Sequence, residues 1–445
     1  NKQRFVFEFP FRFVTQLNDL IILYYLFLIL YKAGIYLVSF WNPKAKLWIT
    51  GRRNVFKKLK ESLQSKGNGK TIWVHCASLG EFEQVRPVLK IIKEENSDAF
   101  IVITFFSPSG YEIIKNNRSF PNIFYLPMDS KLHAKKWMDI ASPDLVLWVK
   151  YEYWHFYLQE IKKRNIPLFM ISGVYRSNQV FFKWYGGFYR DMLNCFTHFF
   201  LQNQDSKEQL EKIISKEKIT VSGDTRCDRV INIAESFKQV PGIAEFCDNN
   251  SVIVMGSTWE DDEAEWTHFV KQHPEIKFII APHEIDAENL ADVKKEFPGS
   301  VFYSEWMGGR TTDDRRPTTD DRQQPNCLII DNIGLLSRLY YYATITYVGG
   351  GFGDDGLHNI LEAAVYGKPV IFGPAYGKNF EAQEMIDCSG AISINNALEL
   401  EKIVKQLLND KQELSVRSNA AKNYVYKNAG ATGKIILFCK ENDLL

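Results

Sequence analysis

Fourteen short apolar runs, each followed by a longer helical or polar segment, govern what this 445-residue chain can become. From residue 71 to 224 they read TIWVHCAS, AFIVITFFS, NIFYLPM, PDLVLWV, IPLFMISG, HFFLQN and ITVSGD. From 251 to 394 they read SVIVMGST, KFIIAPHE, SVFYSE, CLIIDN, ITYVGGG, PVIFGP and AISI. Strands of a parallel sheet are covered on both faces, so they appear as continuous apolar stretches and not as alternating ones. Strands that alternate with helices signal βαβ units. Seven runs plus seven, separated by a polar stretch near 235–250, predict two Rossmann-like domains facing a ligand cleft, not one closed eight-stranded barrel. The length also exceeds what one ordinary core holds.

The expected limits are an apolar anchor over 1–41, an amino-terminal domain over 42–235 and a carboxyl-terminal domain over 236–445. Residues 308–325 are expected to form a polar insertion, because the near-repeat TTDDRRPTTDDR within them cannot bury a core. A net charge of +1 gives no whole-chain reason for binding nucleic acid. The seven cysteines are scattered and contain no C-x-x-C pair, which argues against a disulfide framework and a zinc site and suits a reducing compartment.

Leu20 to Trp41, LIILYYLFLILYKAGIYLVSFW, carries one charge, Lys32, and is about long enough to cross a bilayer. Lys44, Lys46, Arg52, Arg53, Lys57, Lys58 and Lys60 follow it, a basic flank of the kind found on the cytoplasmic side. Two forms fit: a true span, or a helix lying in the membrane interface with Lys32 reaching the headgroups.

Ligands of open α/β sheets bind at the carboxyl ends of strands. In VHCASLGEFEQVRPVLKIIK, residues 74–93, Glu81 follows such an end, and Phe82, Val85, Leu89 and Ile92 mark one face of the helix it opens. Glu81 there is either a chemical group or an acidic residue complementing the helix dipole. Other strand ends offer Lys150 and Glu152, Ser172 and Arg176, Ser257 and Thr258, Pro282 and His283, and Gly334. Arg226, in SGDTRCDR, either faces an anionic group or pairs with Asp224 or Asp228. The richest segment is YVGGGFGDDGLHNILEAAVYGKPVIFGP, residues 347–374, where glycines precede a helix expected to start near His358 or Asn359. That pattern fits a phosphate site or a merely tight strand-to-helix connection.

Taken in order, ASLGEFEQVRPVL, YEYWHFYL, SGDTRCDRV, GSTWEDDE, APHE and the glycine-rich segment resemble the transferases of 3-deoxy-D-manno-octulosonic acid (Kdo) in lipopolysaccharide synthesis. The resemblance implies a GT-B fold, a CMP-Kdo donor held by the carboxyl-terminal domain, a lipid A precursor (lipid IVA) as acceptor, and work at the cytoplasmic face of the inner membrane. It implies no cofactor and no metal, and an inverting displacement. It makes Glu81 the catalytic base, with Glu152 and Arg226 as further catalytic residues. The family's second acidic motif begins with a glutamate that is Lys150 here, which leaves Glu152 as the surviving carboxylate. CMP contacts are implied at Pro282, His283, Ile333, Gly334, Leu335, Asn359, Ile360, Leu361 and Glu362, with Ser257 and Thr258 beside them. Leu335 replaces a glutamate of the family, so a contact there would come from backbone. Two alternatives accompany this reading: another GT-B transferase or sugar epimerase with a different nucleotide sugar, and a membrane-anchored nucleotide-binding scaffold.

Overall fold

All fourteen runs form strands, in two seven-stranded parallel sheets. The computed structural model describes residues 17–150, 152–308, 325–353, 356–377 and 379–445. The expected insertion over 308–325 lies almost wholly outside these residues.

The first unit holds β1 (Thr71–Cys76), β2 (Phe100–Phe105), β3 (Ile123–Tyr125), β4 (Leu145–Val149), β5 (Leu168–Gly173), β6 (His198–Leu201) and β7 (Ile219–Val221). Their spatial order is β3-β2-β1-β4-β5-β6-β7. Residues of β1 alternate between two cores. Trp73 packs with Trp137, Trp148 and Tyr157 on one face, and Ile72, Val74 and Cys76 pack with Phe82, Val85 and Leu89 on the other. The helix expected from the periodicity forms over Leu79–Glu95 and buries the predicted face.

The apolar amino-terminal segment is a helix, α1 (Leu17–Val38), and the shorter α2 (Pro43–Gly51) and α3 (Val55–Ser62) follow; the helix Leu79–Glu95 is α4. From Leu20 to Val38, α1 is long and apolar enough to cross a membrane. One stripe of it, Leu20, Tyr24, Leu28, Tyr31 and Ile35, packs on the first unit's core, at the three- and four-residue steps of a single helix face. Ile22, Leu26, Ile29, Leu30 and Leu37 point outward and are exposed. Arg52, part of the expected basic flank, is instead drawn inward. Its guanidinium donates to the carbonyls of Trp48, Phe106 and Leu126 at 2.9, 2.7 and 2.8 Å and lies 3.7 Å from the centre of the Trp48 ring. Burial pulls its pKa down to about 9.

The second unit holds β8 (Val252–Thr258), β9 (Lys277–Pro282), β10 (Val301–Phe302), β11 (Cys327–Ile329), β12 (Ile345–Val348), β13 (Val370–Phe372) and β14 (Ala391–Ser393). Their order is β10-β11-β9-β8-β12-β13-β14. Six of the seven cysteines are buried and Cys388 is exposed; all are free.

The chain divides differently from the expected boundary at 235. The first unit ends at Thr225 and regains Gly430–Leu445, while the second spans Arg226–Ala429. The returning helix Ala431–Glu441 buries Ile435, Ile436 and Cys439 in the core that also holds Val74 and Phe82. An amphipathic helix read from sequence shows that it needs a partner surface, not which surface it finds. Ile435→Ala should therefore cost about 2–4 kcal/mol of stability by urea unfolding, whereas Leu437→Ala, on the exposed face, should cost under about 0.5 kcal/mol.

Candidate active site

In the first sheet, strand order runs one way from β1 through β2 to β3 and the other way from β4 to β7. The space beyond the carboxyl ends of β1 and β4 is thus the switch point, where a doubly wound sheet opens a crevice. Glu81 follows β1 and Glu152 follows β4, so both carboxylates stand there.

Glu81 occupies the first turn of α4 and is buried. Its Oε2 accepts the Ala77 N–H. Desolvation raises its pKa to about 8; the Ala77 hydrogen bond opposes the rise, Glu152 adds to it and Lys150 offsets part. The loss of water thus outweighs the one backbone donor that favours its charged form. A Cβ at Gly80 would meet only the Ser78 Oγ, at 4.0 Å. Packing does not demand that glycine.

Glu152 is fixed by residues that line up across three strands. His75 on β1 stands in register with Thr104 on β2 and Trp148 on β4. His75 Nδ1 lies 2.9 Å from Thr104 Oγ1 and Nε2 lies 2.8 Å from Glu152 Oε2. The Nε2–H donates to the carboxylate, while Thr104 Oγ1 also accepts the Trp73 Nε1–H at 2.9 Å and donates to the Val74 carbonyl at 3.2 Å. Trp154 Nε1–H donates to the same oxygen at 3.0 Å, and Trp148 Nε1–H donates to the Glu152 carbonyl at 2.6 Å. Glu152 is an oriented acceptor, backed by a fully buried imidazole. Lys150, with φ of 53°, takes the left-handed conformation at the end of β4, as Ser172 does on β5 with φ of 58°. Such backbone is costly for residues other than glycine and collects at functional sites. Tyr151 lies outside the described residues.

In the second unit, β11, β9, β8 and β12 are consecutive neighbours. Their carboxyl ends carry Ile333–Leu335, Pro282–His283, Ser257–Thr258 and the glycine-rich segment, so topology brings the expected donor residues to one edge. Ser257 is left-handed, with φ of 54°, and Thr258 Oγ1 donates to Glu263 Oε1 at 2.7 Å. His283 stacks on Trp259 and His358, with ring centres 4.6 and 4.3 Å apart, and Trp259 Nε1–H donates to His358 Nε2 at 3.1 Å. This aromatic shelf is open on its His283 side, which is exposed. Ile333 is 87% exposed, and a Cβ on Gly334 would meet nothing within 4 Å.

Two expectations about the glycine-rich segment change. The helix begins at Leu361, not at 358 or 359, and is four residues long, so Asn359 and Ile360 belong to the turn before it. Several of its glycines admit protein backbone. A Cβ at Gly349 would lie 2.3 Å from the Ser257 carbonyl oxygen, and one at Gly351 would lie 2.6 Å from the Gly373 nitrogen. The fully buried Asp262 organises the turn, accepting the Gly350 N–H at 2.7 Å and the Tyr347 hydroxyl at 2.5 Å. Glu362 accepts from Arg229 at 3.1 Å and from Asn359 Nδ2 at 3.3 Å, while the Leu361 N–H donates to Asn359 Oδ1. Arg226 pairs with the buried Glu381 at 2.8 Å, a partner 155 positions away that the sequence alone did not indicate.

His75, Thr104, Trp154, Trp259 and Glu381 are absent from the sequence-based site. The available signal is a histidine and a threonine in the middle of mainly apolar runs, since polar groups in such strands need partners.

Residues 51–229 match the family model described as 3-deoxy-D-manno-octulosonic-acid transferase (kdotransferase). The 3-deoxy-D-manno-octulosonic acid transferase of Aquifex aeolicus is 25% identical over 370 residues, covering 81% of this chain and 92% of that protein. The one from Chlamydophila psittaci is 27% identical over 364 residues, covering 78% of this chain and 79% of its own. In fold the chain is similar to the UDP-GlcNAc 2-epimerase of Neisseria meningitidis, with a TM-score of 0.59 at 16% identity over 83% of this chain and all of the other. The matched region carries Glu81, Glu152 and Arg226, and the two parallel sheets are those of a GT-B protein. By these matches the chain is similar to the Kdo transferases over most of its length and is a glycosyltransferase.

Proposed function

We propose that the chain transfers Kdo from CMP-Kdo to a phosphorylated, acylated lipid A precursor at the cytoplasmic face of the inner membrane, with inversion at the anomeric carbon. The observation that carries this reading is Glu81. A buried carboxyl at a switch point, with a pKa of about 8, is a stronger base than a surface carboxylate, and base catalysis is most effective when the pKa lies near working pH. Glu81 takes the proton of an acceptor hydroxyl as its oxygen forms a bond to the anomeric carbon. The bond from that carbon to the phosphate of CMP breaks, and CMP leaves with the bonding pair as a phosphate monoester. Attack opposite the leaving group inverts the centre. Glu152, held by His75 and Trp154, orients the acceptor.

In the second unit the shelf of Trp259, His283 and His358 suits a nucleobase, with Ile333–Leu335 beside it and Asn359–Glu362 on the next strand end. Arg226, its charge balanced by Glu381, would act on the departing phosphate as a fixed hydrogen-bond donor. The docked stripe of α1 favours a helix lying in the interface over a free span, because a span would pull that stripe from its core. An apolar groove of about 770 Å³ between α1, α2 and α3 supports a lipid acceptor. Ile29, Tyr36, Trp48 and Phe56 line it for acyl chains, with Lys32 and Arg53 for phosphate.

With CMP-Kdo generated in situ and a detergent-solubilised tetra-acylated precursor, mass spectrometry should show a gain of one or more Kdo units. No gain from folded protein that still binds CMP would overturn the acceptor. Glu81→Gln should keep CMP binding by calorimetry and abolish transfer. Wild-type kcat/KM should rise about tenfold per pH unit up to about pH 8 and then level; a flat profile across that range would remove Glu81 as the base.

Glu81→Gln also tests the burial physics without substrate. The folded-state pKa of about 8 lies above the ordinary 4.5, so stability due to this group is fully present below 4.5 and lost as pH rises through 8. The variant should melt at the wild-type temperature near pH ~4 and several degrees higher near pH ~9.

A further inference from the structure

Asp129 is a buried carboxyl outside the site described above. Its Oδ2 accepts the Tyr24 hydroxyl of α1 at 2.7 Å and the Phe156 N–H at 3.0 Å, and its Oδ1 accepts the Tyr157 N–H at 3.2 Å. Phe156 and Tyr157 belong to the first turn of the helix His155–Lys163, where N–H groups lack intrahelical partners. The residue at the cap position, Trp154, makes no side-chain cap bond. Asp129 supplies that cap from 27 positions upstream, and the Tyr24 hydroxyl oxygen takes the next free donor, His155 N–H, at 3.3 Å. Three consecutive N–H groups are thereby held by one side chain of α1 and the carboxylate it touches.

The segment just before that turn is Glu152–Trp154. Trp154 uses its indole N–H to hold Glu152 Oε2. Leu20, Leu23 and Phe27 of α1 face Glu152, Tyr153 and Trp154 across a cavity of about 620 Å³. Moving α1 off the domain would remove the hydroxyl from a desolvated carboxyl, leave a helix start partly uncapped and open the wall beside Glu152. We propose that Tyr24 and Asp129 are positioning residues that couple the seating of α1 to the placement of Glu152, making α1 part of the catalytic apparatus as well as an attachment. The proposal rests on the role given to Glu152 in transfer.

Tyr24→Phe deletes the hydroxyl and keeps the ring that contacts His155, Phe156 and Phe188. Assayed in detergent well below its own melting point, it should lower kcat roughly 10- to 100-fold and leave KM for both substrates and CMP affinity unchanged. In a Glu152→Gln background the same change should cost nothing further, because its effect passes through that carboxylate. A loss that shifts KM, or one of equal factor in both backgrounds, would overturn the coupling while leaving Glu152 in its role. Full activity of Glu152→Gln alone would overturn the role of Glu152 and the coupling with it. Asp129→Asn, which keeps an oxygen for the helix start but cannot accept all three donors equally, should reproduce the kcat loss; wild-type kcat in that variant would also sink the coupling.

Discussion

Strand β1 pairs with β2 on one side and β4 on the other, and the chemistry of the first unit depends on that pairing. In register, His75 stands between Thr104 and Trp148. A slip of one residue in either pair would turn the imidazole to the opposite core and leave Glu152 without its donor. The same pairing puts Glu81 and Glu152 at one sheet edge although 71 positions separate them in sequence. A buried histidine between two strands is expensive unless both nitrogens are satisfied, and here threonine and carboxylate do so. The polar residues of these strands serve to aim a group at their end.

Burial acts differently on the two carboxyls. Glu152 meets two N–H donors on one oxygen and keeps part of its surface in solvent. Glu81 meets one backbone donor in a nearly closed space, and its pKa climbs to about 8. The two carboxyls at this strand edge thus meet different surroundings, Glu81 desolvated and Glu152 held in a fixed direction by its donors. Arg52 shows the same economy with the opposite charge. Enclosed by three carbonyls and the Trp48 ring, it is less basic than an ordinary guanidinium and joins α2 to the ends of β2 and β3.

The strands were legible because a parallel sheet buries both faces of its strands and writes each as a continuous apolar run. Even the two-residue β10 lies within the run SVFYSE. The strand-end residues were legible for a related reason: helices follow strands, so polar residues after an apolar run must sit at the carboxyl edge. Partnerships across the chain were hidden. The periodicity of Ala431–Glu441 exposes an apolar face but does not say that it covers β1's side of the first core. Arg226 signals a fixed charge without naming Glu381. The glycines of the 347–374 segment mark close approach, and only coordinates reveal that the approaching group at Gly349 is the Ser257 carbonyl. Nothing in TIWVHCAS states the register of His75.

The amino-terminal helix was the most ambiguous element in sequence, because one apolar stretch has to satisfy two different surfaces. Its composition is apolar all round, which fits a span. Its aromatic hydroxyls are the discriminating feature. Tyr24 reaches a buried aspartate 105 positions away, a contact a lipid-surrounded helix could not make. A helix that commits one stripe to a protein core keeps only the remaining arc for lipid, and in α1 that arc is lined by Ile22, Leu26, Ile29, Leu30 and Leu37. On the reading proposed above, the plane of the membrane would be tied to the domain that carries Glu81 and Glu152. An acceptor held in such a membrane would then meet the two carboxylates from a set direction, without leaving the bilayer and without a flexible tether between attachment and the proposed site.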